Sequence, residues 1–259
     1  MTPAIGYPLL LAWQKGWLPA PSGVARARQK DGRTLRCDLS DRTQRTMYLG
    51  LFEPGETRLV SQLLGPGDLF IDVGAHIGWF TTMAARRVQA SGRVIACEPY
   101  PANATALREN LRINETDNVQ VVEAAISHGE GTLRLAKGPD SGSVTALDWA
   151  RDDPAEVPML TLDELTKDAT DVRLLKVDVE GWEAHVLQGA TQTLRRTANV
   201  LIEINRPALK KSGSAPEEIL QLLRLSGFTA FREVPRLGVR RFAPPSEITN
   251  VLAGKDVRS

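Results

Sequence analysis

From Asp68 onward, short apolar runs alternate with stretches of helical period, and this restricts the chain to a parallel α/β sheet more firmly than any other feature. Asp68-Leu-Phe-Ile-Asp-Val73 reads as a strand that ends in the glycine turn Gly74-Ala-His-Ile-Gly78, and residues 79–88 read as the helix after it. Residues 93–97 form a second strand, 119–123 a third, 172–178 a fourth and 199–205 a fifth. Pro101 suits a first helical turn, where its missing amide hydrogen costs nothing, so 101–113 reads as a helix. Trp182, Val186, Ala190 and Leu194 recur every four residues, which predicts one apolar helical stripe. Pro216 opens a further helix to Leu225, while 228–234 and the basic segment around Arg240 read as closing strands.

Two regions break the rhythm. Residues 127–170 form an insertion, with Thr132-Leu-Arg-Leu135 as a small extra strand and Gly138-Pro-Asp-Ser-Gly142 as a loop. The first 65 residues lack the alternation; there Pro8 starts a short helix with Leu10, Trp13 and Trp17 on one side. The expected organisation is an N-terminal cap over 1–65 and one α/β domain over 66–259. Loops vary freely on such a scaffold, so cap and insertion are expected to shape the substrate pocket, where Trp13, Trp17 and Trp149 can stack on a ring or line the core.

Of the 259 residues, 42% are hydrophobic and 24% charged, enough apolar material for a large core, which excludes a disordered chain. The 32 basic and 31 acidic residues leave a net charge of +1, so neither nucleic acid nor a membrane surface is an expected partner. Arginine far outnumbers lysine, which points to a GC-rich bacterial genome. Cys37 and Cys97 are too few for a disulfide scaffold or a paired-cysteine metal site, and Cys97 reads as a buried thiol. The apolar stretch 7–13 is too short to span a bilayer, and no basic residue precedes it. A cytoplasmic protein is the expectation. A homodimer is compatible with the sequence, which specifies no interface.

The chemistry concentrates in Asp72-Val-Gly74-Ala-His76-Ile-Gly78 and in Glu98-Pro99 at the end of the next strand. Glycines at a strand end let the backbone turn sharply and approach a ligand. The Gly-x-Gly-x-x-Gly spacing of a dinucleotide site is absent, and Asp72 would repel a pyrophosphate. A carboxylate there suits a cofactor that carries positive charge, and Glu98 is placed to accept hydrogen bonds from both ribose hydroxyls. Together they favour S-adenosylmethionine over NAD.

The segments Leu51-Phe-Glu-Pro54, Asp72-Val-Gly-Ala75, Thr161-Leu-Asp-Glu-Leu165, Leu175-Lys-Val-Asp-Val-Glu-Gly-Trp-Glu183, Val186-Leu-Gln-Gly-Ala190 and Leu201-Ile-Glu-Ile204 occur in that order. This series, over about residues 45–206, resembles the FkbM-type family of S-adenosylmethionine-dependent methyltransferases. The resemblance implies a class I methyltransferase fold, Rossmann-like, with a seven-stranded, mostly parallel sheet whose last strand runs antiparallel. It also implies O-methylation of a small-molecule hydroxyl, on a sugar or a polyketide-like natural product. Asp72, Gly74 and Gly78 match the family's cofactor loop and Glu98 its ribose-binding acid. His76 departs from the usual Asn. At Ala125 the wider methyltransferase pattern often has an Asp that meets the adenine, so here that contact would come from backbone or from elsewhere.

Methyl transfer to an aliphatic hydroxyl needs alignment and a base within reach of the proton. Asp178 and Glu180, at the end of the fourth strand, are the leading candidates, and Asp178 also counts among the cofactor contacts. Glu203, at the end of the fifth strand, can orient the acceptor or pair with Arg206. Lys176 reads as a structural partner for a carboxylate, and His185 as a surface residue. No His/Cys cluster supports a transition metal, though Asp178 and Glu180 are hard ligands able to hold a divalent ion such as Mg²⁺. The alternatives are a nucleic-acid methyltransferase and a cofactor-binding protein without catalysis. Against the first, Asp178-Val-Glu-Gly181 stands where base-amine enzymes carry Asn/Asp-Pro-Pro-Tyr/Phe, and only the Arg-rich stretch 232–241 favours it. Against the second stand the intact strand-end acids.

Overall fold

The computed structural model describes residues 3–137, 144–146, 155–234 and 248–255. Its N-terminal part holds α1 (Pro3–Gln14), a hairpin of β1 (Val24–Arg28) and β2 (Thr34–Asp38), and the helices α2 (Arg42–Tyr48) and α3 (Pro54–Leu63). The alternating unit follows as β3 (Leu69–Val73), α4 (Trp79–Val88), β4 (Arg93–Cys97), α5 (Pro101–Ile113) and β5 (Val119–Val122). Next come β6 (Ala125–Ile126), β7 (Gly131–Lys137), β8 (Val144–Ala146), β9 (Ala155–Leu160) and α6 (Leu162–Leu165). The remainder is β10 (Val172–Val177), α7 (Glu183–Gln188), α8 (Thr191–Arg196), β11 (Thr197–Asn205), α9 (Arg206–Lys211), α10 (Pro216–Leu225), β12 (Ala230–Glu233) and β13 (Ile248–Gly254).

Seven strands form the main sheet in the order β12-β13-β11-β10-β3-β4-β5. The five strands from β11 to β5 run parallel, and β13 is antiparallel to both β11 and β12. This is the class I methyltransferase sheet that the resemblance implied. The chain winds outward from β3 through β4 to β5, then returns to lay β10 on the other side of β3. The loops after β3 and β10 therefore diverge and open a crevice at their carboxyl ends.

Both sheet faces are covered, as the continuous apolar runs of the central strands require. On one face Ile71, Val73, Leu175 and Val177 pack against Val186, Leu194 and Leu223 of the later helices. On the other, Phe70, Val94 and Leu174 share a core with α4 and with Leu35, Met47 and Val60 of the N-terminal segment. Two asparagines fasten that segment. Asn110 of α5 and Asn114, which caps that helix, each bridge to β2, accepting from the Arg36 and Thr34 amides at 2.7 and 2.8 Å and donating to the carbonyls of the same two residues.

Several expectations need correction. The stripe from Trp182 to Leu194 spans two helices: a Cβ on Gly189 would stand 2.0 Å from the Ser127 carbonyl oxygen, and the helix ends there. Periodicity survived because Val186, Ala190 and Leu194 all face the same core. Pro8 lies inside α1 instead of starting it. The third strand ends at Val122, and Ala125 belongs to β6 in a second sheet of order β6-β9-β7-β8, built largely from the insertion. The final strand is β13; the segment around Arg240, Trp149, the 138–142 loop and most of the 232–241 stretch lie outside the described residues.

Candidate active site

The turn after β3 is shaped by its neighbours. The Gly74 and Ala75 amides both donate to the Cys97 carbonyl at 3.0 Å, which ties the turn to the end of β4. Gly74 has φ +86°, and a Cβ there would lie 1.9 Å from the Asp178 carbonyl oxygen. Glycine is thus demanded by the strand-end loop of β10, a tighter constraint than the ligand approach read from sequence. His76 is left-handed at φ 51°, which turns its amide to donate to Glu98 Oε2 at 2.8 Å.

The crevice encloses a cavity of about 230 Å³ bounded by the ends of β3, β4, β10 and β11, by β6, and by the N-terminal segment. At one end stand Glu98, Pro99, Asn103 and Ala125. Glu98 is buried, and its Oε1 accepts from the Tyr100 amide at 3.0 Å and Asn103 Nδ2 at 3.3 Å. Burial pushes this carboxyl up to about 7, against the opposing pull of those hydrogen bonds and the one from His76.

Asp72 does not line the cavity. It sits fully buried beneath the turn, where Oδ2 accepts from Thr81 Oγ1 at 2.6 Å and Oδ1 has no hydrogen bond. Burial raises its pKa, opposed by the nearby Lys176 ammonium and by Thr81. Gly78 likewise lies off the cavity, leading into α4. Gly74, His76, Glu98, Pro99, Ala125, Asp178, Glu180 and Glu203 all line it.

The opposite end is acidic. Lys176 Nζ, buried 4.9 Å from the Phe80 ring centre, contacts Asp178 Oδ2 at 2.9 Å. Burial works to lower the Lys176 pKa, but Asp178, Asp72 and Glu53 outweigh it and hold the ammonium charged. Glu180 is left-handed at φ 53°, a strained geometry for a residue with a Cβ. Burial, then the charges of Asp178 and Glu183, push its carboxyl up to about 7. Glu203 is raised well above the usual carboxylate range by burial, and then by Asp178, Glu180 and Glu53. The sequence offered Arg206 as its partner, yet Arg206 approaches Glu217 at 3.9 Å.

Sequence reasoning missed several residues here. Glu183 is buried, and its Oε1 accepts from the Val179 and Gly181 amides, both at 3.1 Å, holding the loop that carries Glu180. Glu53, Phe52, Thr43 and Met47 reach the cavity from the N-terminal segment. The motif Leu51-Phe-Glu-Pro54 was the available signal for Glu53, since a glutamate at a helix entry that makes no capping bond needs another reason. His185 is half-buried, in contrast to the expected surface position: its ring stacks on Trp182 at 3.9 Å, and Trp182 Nε1 donates to Ser127 Oγ at 3.1 Å.

A methyl-donor nucleoside fits these groups. Glu98 is fixed by three N–H donors and keeps acceptor capacity for ribose hydroxyls, while the acidic end suits a cationic sulfonium and ammonium. Among the described residues, no group of three or more His, Cys, Asp or Glu is arranged to hold a metal ion, and no helix is long and apolar enough to cross a membrane.

Residues 72–230 match the family model described as Methyltransferase FkbM domain. The 2-O-methyltransferase NoeI of Sinorhizobium fredii is 28% identical over 201 residues, 69% of this chain and 79% of that protein. The hexuronic acid methyltransferase AglP of Haloferax volcanii is 26% identical over 168 residues, 64% of this chain and 65% of that one. A crystal structure assigned as an rRNA-methylase from Clostridium thermocellum shares the fold, with a TM-score of 0.50 at 11% identity over 77% of this chain and 92% of its own.

Proposed function

Because this chain belongs to the FkbM methyltransferase family, we propose that it is an S-adenosylmethionine-dependent O-methyltransferase whose acceptor is a hydroxyl of a sugar or polyketide-like small molecule. One relative is named for 2-O-methylation, which suits a sugar hydroxyl, and another for a hexuronic acid, an anionic sugar. The observation that carries the reading is the trio Asp178, Glu180 and Glu203, gathered at the end of the cavity away from Glu98.

When bound, S-adenosylmethionine supplies a methyl group already activated by a positive sulfonium. Glu98 would hold the ribose hydroxyls, with the Gly74–His76 turn, Pro99 and the backbone at Ala125 bounding the nucleoside. Asp178, oriented by Lys176, aligns the acceptor hydroxyl, and alignment of this kind removes much of the barrier. Glu180 takes the hydroxyl proton, since a carboxyl raised to about 7 is matched to a base working near neutrality. Glu203 steadies the acceptor through a second hydrogen bond. Phe52, Phe80 and Trp182 line the walls and exclude water.

The test is a transfer assay with methyl-labelled S-adenosylmethionine and a panel of glycosides and aliphatic alcohols. The expected product is an alkali-stable methyl ether. Label appearing instead on an amine or in RNA would overturn the assignment.

A further inference from the structure

Among the described residues, five carboxyl side chains line the cavity, from Glu53, Glu98, Asp178, Glu180 and Glu203, and Lys176 is the only lysine or arginine that lines it. That ammonium is already engaged by Asp178. Glu180 and Glu203 face the cavity with no hydrogen bond or ion pair among the described residues, so both are open to donors from a ligand. Glu53 enters from the other side of the crevice on a left-handed backbone at φ 39°, and its charge reaches both Lys176 and Glu203. Carboxyl groups accept hydrogen bonds from hydroxyl and ammonium groups, whereas an acceptor carboxylate would add a further negative charge to this cluster, with no unengaged lysine or arginine among the described lining residues to receive it.

We infer that the acceptor end of the cavity selects against anionic acceptors and takes a neutral or aminated sugar hydroxyl, with Glu53 and Glu203 as the specificity-determining residues. This rests on the O-methyltransferase reading and adds the charge class of its acceptor. Glu203 arrives on β11 within the family-matched region, and Glu53 on the N-terminal segment outside it. The N-terminal segment is therefore part of the selectivity machinery.

The experiment uses the full chain saturated with S-adenosylhomocysteine and three methyl glycosides that share one ring: the glucoside, the 2-amino glucosaminide and the glucuronoside. Binding is followed by calorimetry. The glucuronoside should bind at least about tenfold more weakly than the glucoside, since juxtaposed like charges impose penalties of that order or larger. The glucosaminide should bind at least as tightly as the glucoside. Glu53→Gln should narrow the gap between glucoside and glucuronoside. The wild-type series decides the matter even if that variant is unstable. A glucuronoside that binds as well as the glucoside overturns the inference and leaves methyl transfer to sugars standing. Failure of all three to bind sinks the sugar acceptor and the inference together.

Discussion

At one end of the cavity Glu98 receives N–H donors from His76, Tyr100 and Asn103, whereas at the other Glu180 and Glu203 receive none among the described residues. Burial raises all three carboxyls, so the difference lies in what the protein itself supplies to each. The Glu98 end is organised in advance for one fixed ligand, with the cost of ordering met on folding. The Glu180 end leaves half-buried acceptors open to a ligand's donors.

The strongest way to break this contrast is Asp178→Asn. Turnover should fall about 10²-fold in single-turnover assays, the order expected when a reacting group is misplaced, with S-adenosylhomocysteine affinity changed far less. Full turnover would remove Asp178 from the chemistry. Glu98→Gln should do the reverse, weakening S-adenosylhomocysteine about 10–100-fold by calorimetry, since hydrogen bonds to a charged group contribute about 1.5–3 kcal/mol each. The same group gives a pH signature. Glu98 sits at about 7 and binds ribose as the carboxylate, so wild-type affinity should weaken as pH falls through 7, and Glu98→Gln should flatten that slope.

Glu183→Ala should lower turnover about tenfold by releasing the loop that presents Glu180, while Glu183→Gln, whose amide oxygen can accept the same two N–H groups, restores most of it. A smaller effect concerns ligand-free stability. Glu98, Glu180 and Glu183 are each raised from 4.5 to about 7, so the folded state holds more protons between those values. Their contribution is fully present below 4.5 and lost as pH rises through 7, and melting should occur a few degrees lower at pH 8 than at pH 5. Equal melting temperatures would mean that these groups titrate normally.

Much of the scaffold was legible because its signals are local. Apolar runs marked β3, β4, β10 and β11, and proline at a first turn located α5 and α10. Strand-end acids pointed to Glu98, Asp178, Glu180 and Glu203. Asp72 misled for a physical reason: alternation along β3 turns its side chain into the protein, toward Thr81 and Lys176, although its backbone borders the site. Ala125 was given to the wrong sheet, because a two-residue strand has too short a pattern to read. Gly189 concealed a helix break that periodicity alone bridged.

By itself the sequence determined the order of strands and helices and the residue types at the strand tips, since propensity and hydrophobic period act over a few neighbouring residues. The tertiary structure alone decided which of those residues meet. Glu53, Glu98, Asp178, Glu180 and Glu203 come from distant segments, and only sheet register and the docking of the N-terminal segment bring their charges within reach of one another. Their raised pKa values follow from that shared burial, which no local pattern encodes.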